Sequence, residues 1–164
     1  MLSDKMLKAL NDQIELEFNS AYLYLAMAAD CEQQNLPGFA DWLKVQFGEE
    51  QGHAMRIFEH LVDRGGLVTL GAIARPKAKF GPPLEMFKEV LKHEQKVTAA
   101  IHKLYEVALA EKDYAAQTFL HWFINEQVEE EKNAEDIIRQ LEAVDGKAHL
   151  MLMLDHKMGE RKVG

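Results

Sequence analysis

Phe47-Gly48-Glu49-Glu50-Gln51-Gly52-His53-Ala54 is the stretch whose reading decides the rest of the chain. The pattern around it is helical, so Glu50 and His53, three positions apart, lie on one face and can grip one cation. One such pair is a common occurrence. Here three more helical stretches carry apolar stripes stepping by three and four residues, and each stripe is broken near its middle by a carboxylate or an amide. The first reads Leu7, Leu10, Ile14, Glu17, Ala21, Tyr24, Ala28, and the second Leu43, Phe47, Glu50, Ala54, Ile57, Leu61, with His53 beside Ala54. The third reads Phe87, Leu91, Glu94, Thr98, Ile101, Tyr105, Ala108, and the fourth Leu120, Phe123, Gln127, Glu130, Ala134, Ile137, Leu141.

In a bundle of antiparallel helices of similar length, the middles meet at one level. Uncompensated carboxylates there would cost several kcal/mol each, or would take up protons instead. No lysine or arginine lies on these stripes at that depth. A metal supplies the missing charge most simply. Oxygen-rich ligands with one imidazole suit iron or manganese, zinc can bind as well, and bridging carboxylates let two ions sit close together. The spacing repeats: Glu17 and Glu50 are 33 residues apart, as are Glu94 and Gln127. A shift of 77 lays Glu17 on Glu94, Glu50 on Gln127 and His53 on Glu130, the pattern of a duplicated helix hairpin with a pseudo-twofold axis through the site.

The punctuation predicts the architecture. Ser3 can cap a helix that opens at Asp4 and runs to Asn35, and Pro37 suits the first turn of a second helix ending at Arg64 before Gly65-Gly66. The segment from Gly65 to Pro83 is rich in proline and glycine and reads as a connection. Extended, it reaches roughly 60 Å, against roughly 42 Å for a helix of about 28 residues, so it can travel the length of a bundle. Further helices are expected from Pro83 or Leu84 to Lys112 and from Asp113 to Val144. A short fifth from Lys147 to Gly159, with Leu150, Met151, Leu154 and Met158 at helical spacing, has to dock on the bundle or on another subunit. No segment alternates with period two. The expected fold class is all-α, a four-helix bundle with one long crossover loop and a short C-terminal fifth helix, the topology of ferritin-like folds.

Composition bounds the partners. Within 164 residues, 48% are hydrophobic and 28% charged, which suits one globular domain over 1–164, with the bundle at about 4–144 and the fifth helix at about 147–159. A net charge of −8 argues against a nucleic-acid surface and fits a protein that attracts cations. The single cysteine, Cys31, leaves no internal disulfide and no Cys-x-x-Cys knuckle. The N-terminal residues lack the apolar core of a signal peptide, and no window is long and apolar enough to span a bilayer, so a cytoplasmic location and no membrane contact are expected. His60, His93, His102, His121, His149 and His156 read as surface or packing residues, since only His53 has a partner at ligand spacing. Glu126, Glu129 and Glu130 share one side of their helix and are either a solvated face or a further cation site. Tyr24 either fills the core or serves a nearby metal as a phenol.

These residues resemble the bacterial and archaeal non-haem ferritins over almost the whole chain. The resemblance rests on Glu-Glu-Gln-Gly-His at 49–53, His-Glu at 93–94 and Asn-Glu-Gln-Val-Glu-Glu-Glu at 125–131. It implies an iron-storing ferroxidase: a homo-oligomer, a hollow shell of twenty-four subunits, that oxidises Fe(II) with dioxygen or peroxide and stores Fe(III) as mineral. By the same resemblance, Glu17, Glu50 and His53 hold one iron, while Glu50, Glu94 and Glu130 hold the second, with Glu50 bridging. Gln127 lies beside the pair, and Tyr24 matches a nearby tyrosine. Glu49, Glu126, Glu129 and Glu130 match a third iron site. Haem is not expected, because bacterioferritins carry histidine at the position of Glu130 and a haem-binding methionine at that of Gln51. Rubrerythrins add a cysteine-rich domain, and the DNA-coating mini-ferritins lack these ligands. The alternative is a di-iron oxidase or peroxidase of the same superfamily that stores nothing.

Overall fold

The computed structural model describes residues 2–163 and consists of five helices: α1 Asp4–Gln33, α2 Pro37–Asp63, α3 Pro83–Ala110, α4 Tyr114–Val144 and α5 Ala148–Met158. Among the described residues there is no strand. This is the all-α bundle with one long crossover and a short fifth helix that the stripes predict.

Local chemistry sets the helix ends. Ser3 Oγ accepts from Met6 N at 3.2 Å, and the Asp113 carboxylate accepts from Ala116 N at 3.0 Å, each satisfying a donor that the first turn leaves free. Pro37 and Pro83 open α2 and α3, where a missing N–H costs nothing. Several ends fall one or two residues short of the expectation. Asn35 and Lys112, at φ 57° and 52°, sit in the left-handed region that stops a helix, so α1 ends at Gln33 and α3 at Ala110.

The crossover, residues 64–82, climbs alongside α1. Asn11 bonds Leu67 O (3.0 Å) and Thr69 N (2.7 Å), Asn19 accepts from Ala74 N (2.8 Å), Asp30 accepts from Phe80 N (2.8 Å), and Gln34 donates to Gly81 O (2.9 Å). These anchors carry the loop from the start of α1 to its end, so α3 begins there and runs antiparallel to α1. Ion pairs Lys5–Glu111 (3.6 Å) and Arg64–Asp113 (2.8 Å) tie the opposite ends.

Helix α5 closes the bundle end on which α2 begins. Asp155 accepts from Phe39 N at 2.9 Å, capping α2 in place of a local side chain. A Cβ at Gly38 would come within 1.7 Å of the Asp155 carbonyl oxygen, so only glycine allows this approach. Leu154 and Met158 are buried and join the core.

The apolar core is in two parts. One cluster contains Tyr24, Met27, Phe39, Trp42, Met86, Phe87 and Leu141, the other Met6, Leu10, Ile57, Ile101, Leu120 and Phe123. The polar stripe breaks lie between them. Two stripes differ in register from the expectation: Met6, not Leu7, is fully buried on α1, and on α3 the buried line is Val90, Glu94, Val97, Ile101, Leu104, with Leu91, Thr98 and Tyr105 half-buried. The acid positions themselves do not move, because each stripe crosses its carboxylate under either reading. No helix among the described residues is long and apolar enough to cross a membrane.

Candidate metal centre

Four helices deliver the interrupting residues to the level between the two apolar clusters. Glu17 comes from α1, Glu50 and His53 from α2, Glu94 from α3, and Gln127 and Glu130 from α4, and none is more than 5% exposed. Each sits on the inward face of its helix because the apolar residues three and four positions away must be buried, and the carboxylate is carried in with them.

The first group is compact. Glu17, Glu50 and His53 offer ligand atoms within 4.8 Å of one another. His53 Nδ1 lies 3.3 Å from Glu50 Oε2 and 3.9 Å from Glu17 Oε2. Glu17 Oε2 is buried with no hydrogen-bond partner, an unpaired acceptor that a cation would satisfy. The other face of the same imidazole belongs to a second group, His53, Glu126 and Glu130, with Nε2 3.9 Å from Glu126 Oε1.

The remaining expected ligands are arranged differently. Glu94 joins neither group: the Tyr24 hydroxyl and Gln127 Nε2 (3.1 Å) both donate to its carboxylate. Gln127 also donates to the Glu94 carbonyl (3.3 Å) and to Thr98 (3.2 Å), which passes a bond on to Glu131 (2.6 Å). Glu50 and Glu130 share one donor, Gln46 Nε2, at 2.9 and 3.0 Å. Glu129 is exposed and Glu49 half-buried, and both line an open vestibule of about 540 Å³ that reaches His53, Glu126 and Glu130. Glu49 is taken up by Arg161 Nη2 at 2.5 Å.

Electrostatics show what the site lacks. Burial, and then the charge of Glu50, raises the Glu17 carboxyl well above its usual range. Glu50 is raised by burial and then by Glu94 and Glu130. Burial raises Glu94 despite the bonds from Tyr24 and Gln127, and burial followed by Glu94 pushes Glu130 up to about 8. Burial and the Glu94 charge likewise hold Tyr24 as the neutral phenol. Four carboxyls that resist ionisation beside one imidazole form a pocket short of positive charge, which a divalent cation with oxygen-rich preferences would supply.

Three residues that hold this centre were not legible as such. Gln13 donates to Glu17 at 2.7 Å and Gln46 to Glu50, each from four residues earlier on the same helix. Glutamine one turn ahead of a stripe carboxylate is the signal that would have found them. Arg161 comes from beyond α5 and carries no periodic signal. The histidines outside the site do pack as expected: His93 bonds Ser20 (2.8 Å), burial drawing its pKa down to about 4, and His60 stacks on Phe119 with centroids 3.9 Å apart.

A four-helix bundle with one long crossover, carrying glutamates and a histidine from its helices to one buried level, defines the class of ferritin-like carboxylate metalloproteins. The ferritin-like domain matches residues 7–144. The chain is 39% identical over 161 residues to a bacterial non-heme ferritin of Staphylococcus aureus, covering 98% of this chain and 97% of that one, and 38% identical to a bacterial non-heme ferritin of Bacteroides fragilis, covering 98% and 100%. Among solved structures, an open pore ferritin from the hyperthermophilic archaeon Archaeoglobus fulgidus superposes with a TM-score of 0.98 at 43% identity, over 99% of this chain and 100% of the other. This chain belongs to the ferritin family.

Proposed function

We propose that this protein is an iron-storing ferroxidase that takes Fe(II) as substrate into the centre between the two apolar clusters and keeps the Fe(III) product as mineral inside a shell of its own copies. The observation that carries the reading is the buried level of four glutamates and one histidine with no cationic side chain among them, set in a ferritin bundle. Near-full-length likeness to proteins named as non-heme ferritins supports storage over the non-storing oxidase.

The residues divide the work. Glu17, Glu50 and His53 form the first position, its ligand atoms already close. Glu130 and Glu94, with Glu50 shared, form the second, and Gln46 holds Glu50 and Glu130 toward one another. Two Fe(II) ions bound there supply the two electrons that reduce dioxygen to hydrogen peroxide with uptake of two protons, and carboxylate oxygens favour the harder Fe(III) product. The neutral Tyr24 hydroxyl and the Gln127 amide hold Glu94 in place. Glu126, Glu129, Glu130 and Glu49 mark a third position in the vestibule, through which iron passes between the centre and the storage space.

Assembly fits the surface. Tyr22 and Leu25 on α1 and Leu67, Leu70 and Ile73 on the crossover present exposed apolar surface. Subunit contacts would cover it, and twenty-four copies is the family's shell. The chain acts as one domain over 1–164, in a cytoplasmic setting. Glu130→Ala slows Fe(II) oxidation by about 100-fold while the mass of the assembled particle stays unchanged. An unchanged oxidation rate would overturn the assignment of the centre.

A further inference from the structure

The vestibule beside the centre is acidic, yet two guanidinium groups stand at its rim. Arg56 lies over the Trp122 ring at 4.2 Å from its centroid, and Arg161 over the Trp42 ring at 4.1 Å. They differ in what they hold. Arg161, from the segment after α5, has a side chain only 18% exposed and three acceptors: Glu49 Oε2 at 2.5 Å, Gln46 Oε1 at 2.9 Å and the Trp42 carbonyl at 3.4 Å. A forked, permanently charged donor with its plane on an indole is a fixed group, because stacking and three bonds together hold it more tightly than a surface ion pair does.

Two consequences follow from the chemistry of the donors. A guanidinium can only donate, so the Gln46 atom facing it has to be the oxygen. The Gln46 nitrogen then faces the other way, where it bonds Glu50 and Glu130. Turned over, the amide would present its oxygen to two carboxylates. Glu49, meanwhile, is the vestibule carboxylate that faces Glu126 and Glu130 closely enough for its charge to raise both, and Arg161 occupies it.

We infer that Arg161 is a built-in competitor for the third cation position: it holds Glu49 in an ion pair that a metal ion must displace, and through Gln46 it keeps the amide donor turned toward Glu50 and Glu130. Arg161 is a positioning residue, acting on the metal through Glu49 and Gln46. The inference rests on the di-iron reading of the centre and adds to it a cation, supplied by the chain itself, that weakens loading of the vestibule relative to the two buried positions. A filled pair of buried sites draws on Glu50 and Glu130 directly, whereas the third ion has to take Glu49 away from a guanidinium. Order of loading follows from that difference.

The test is calorimetric titration of Zn(II), a redox-inert divalent ion, into the assembled protein for wild type, Arg161→Ala, Arg161→Lys, Glu49→Gln and the Arg161→Ala/Glu49→Gln double variant. Wild type should show two tight equivalents per chain and a weaker third. Arg161→Ala should tighten the third about tenfold. In the Glu49→Gln background the same change should shift it by no more than about twofold, the signature of action through that carboxylate. Arg161→Lys keeps the positive charge beside Glu49 but loses the fork and the stacking on Trp42, so it should tighten the third equivalent by less than Arg161→Ala does, and an unchanged particle mass guards against a merely misfolded alanine variant. Equal tightening in both backgrounds, or none in either, would overturn the inference. Absence of any tight Zn(II) binding in wild type would instead overturn the reading of the buried centre itself, so the two failures are distinct.

Discussion

In the hairpin of α1 and α2, each ligand carboxylate is held by a glutamine one turn earlier on its own helix: Gln13 serves Glu17 and Gln46 serves Glu50. In the hairpin of α3 and α4, the equivalent positions under the 77-residue shift are Val90 and Phe123, and Glu94 is held instead by Gln127 of its own hairpin and, across the bundle, by Tyr24 of α1. The first hairpin also closes a ligand triad by itself, whereas the second contributes Glu130 to a group completed by His53. Two hairpins with matching ligand spacing therefore carry an asymmetric centre. One half brings its ligands with their own supports, and the other half takes part of its support, the Tyr24 hydroxyl on Glu94 and the Gln46 amide on Glu130, from the first.

The largest effect should come from the residue both halves use. Glu50→Ala removes the shared carboxylate and should lower the initial rate of Fe(II) oxidation by more than about 100-fold, with the particle still assembled; a loss confined to one of the two tight metal equivalents would show that Glu50 is not shared. Supports come next. Gln13→Ala should weaken tight Zn(II) binding by about tenfold at one equivalent, the α1–α2 position, while Tyr24→Phe and Gln127→Ala weaken the other by a similar factor. Titration that shows both equivalents weakened alike in every variant would abolish the distinction between the halves.

The same asymmetry has a pH signature. A carboxyl raised by burial stabilises the metal-free fold fully below the ordinary carboxylate range, and the contribution is lost as pH rises through the folded value, about 8 for Glu130. The melting temperature of the metal-free protein should accordingly fall between pH 6 and pH 9, and Zn(II) should recover it most at the high end, where no proton competes for the ligands. Glu17→Gln should flatten this fall more than Glu94→Gln, because Glu17 keeps an oxygen without a donor while Glu94 receives two. A melting temperature independent of pH in the metal-free protein would contradict the burial of these acids.

The smallest effect concerns Gly48 and Gly52, exposed glycines within α2 at the vestibule, where an added Cβ would meet nothing within 4 Å. Gly48→Ala and Gly52→Ala should each stabilise the helix by up to about 1 kcal/mol in denaturant unfolding. Slower iron uptake in a more stable variant would show that the gap they leave serves the route to the centre.

Much of this is legible in the sequence. Glu17, Glu50, Glu94 and Glu130 stand out because an acid on an apolar stripe is expensive to bury, and helix periodicity alone places it inward. The crossover's path follows from its length. What stayed hidden was of another kind. Gln13 and Gln46 are unremarkable polar residues until their carboxylates are known to be buried, and the register on α1 and α3 was displaced by one residue because Leu7 and Leu91 are as apolar as Met6 and Val90. Arg161 sits in a charged run, Glu160-Arg161-Lys162, too short to read as a basic tail, and only the docking of α5 on α2 brings it to Glu49.

The most direct test of iron storage is anaerobic Fe(II) titration of the assembled protein followed by admission of air, with absorbance and particle mass recorded together. The account predicts fast oxidation saturating at about two to three irons per chain, then slow uptake of many more by a very large particle that keeps them. Saturation at about two irons per chain in a small oligomer, with no further uptake, would contradict storage and leave a di-iron oxidase whose substrate would have to be sought elsewhere.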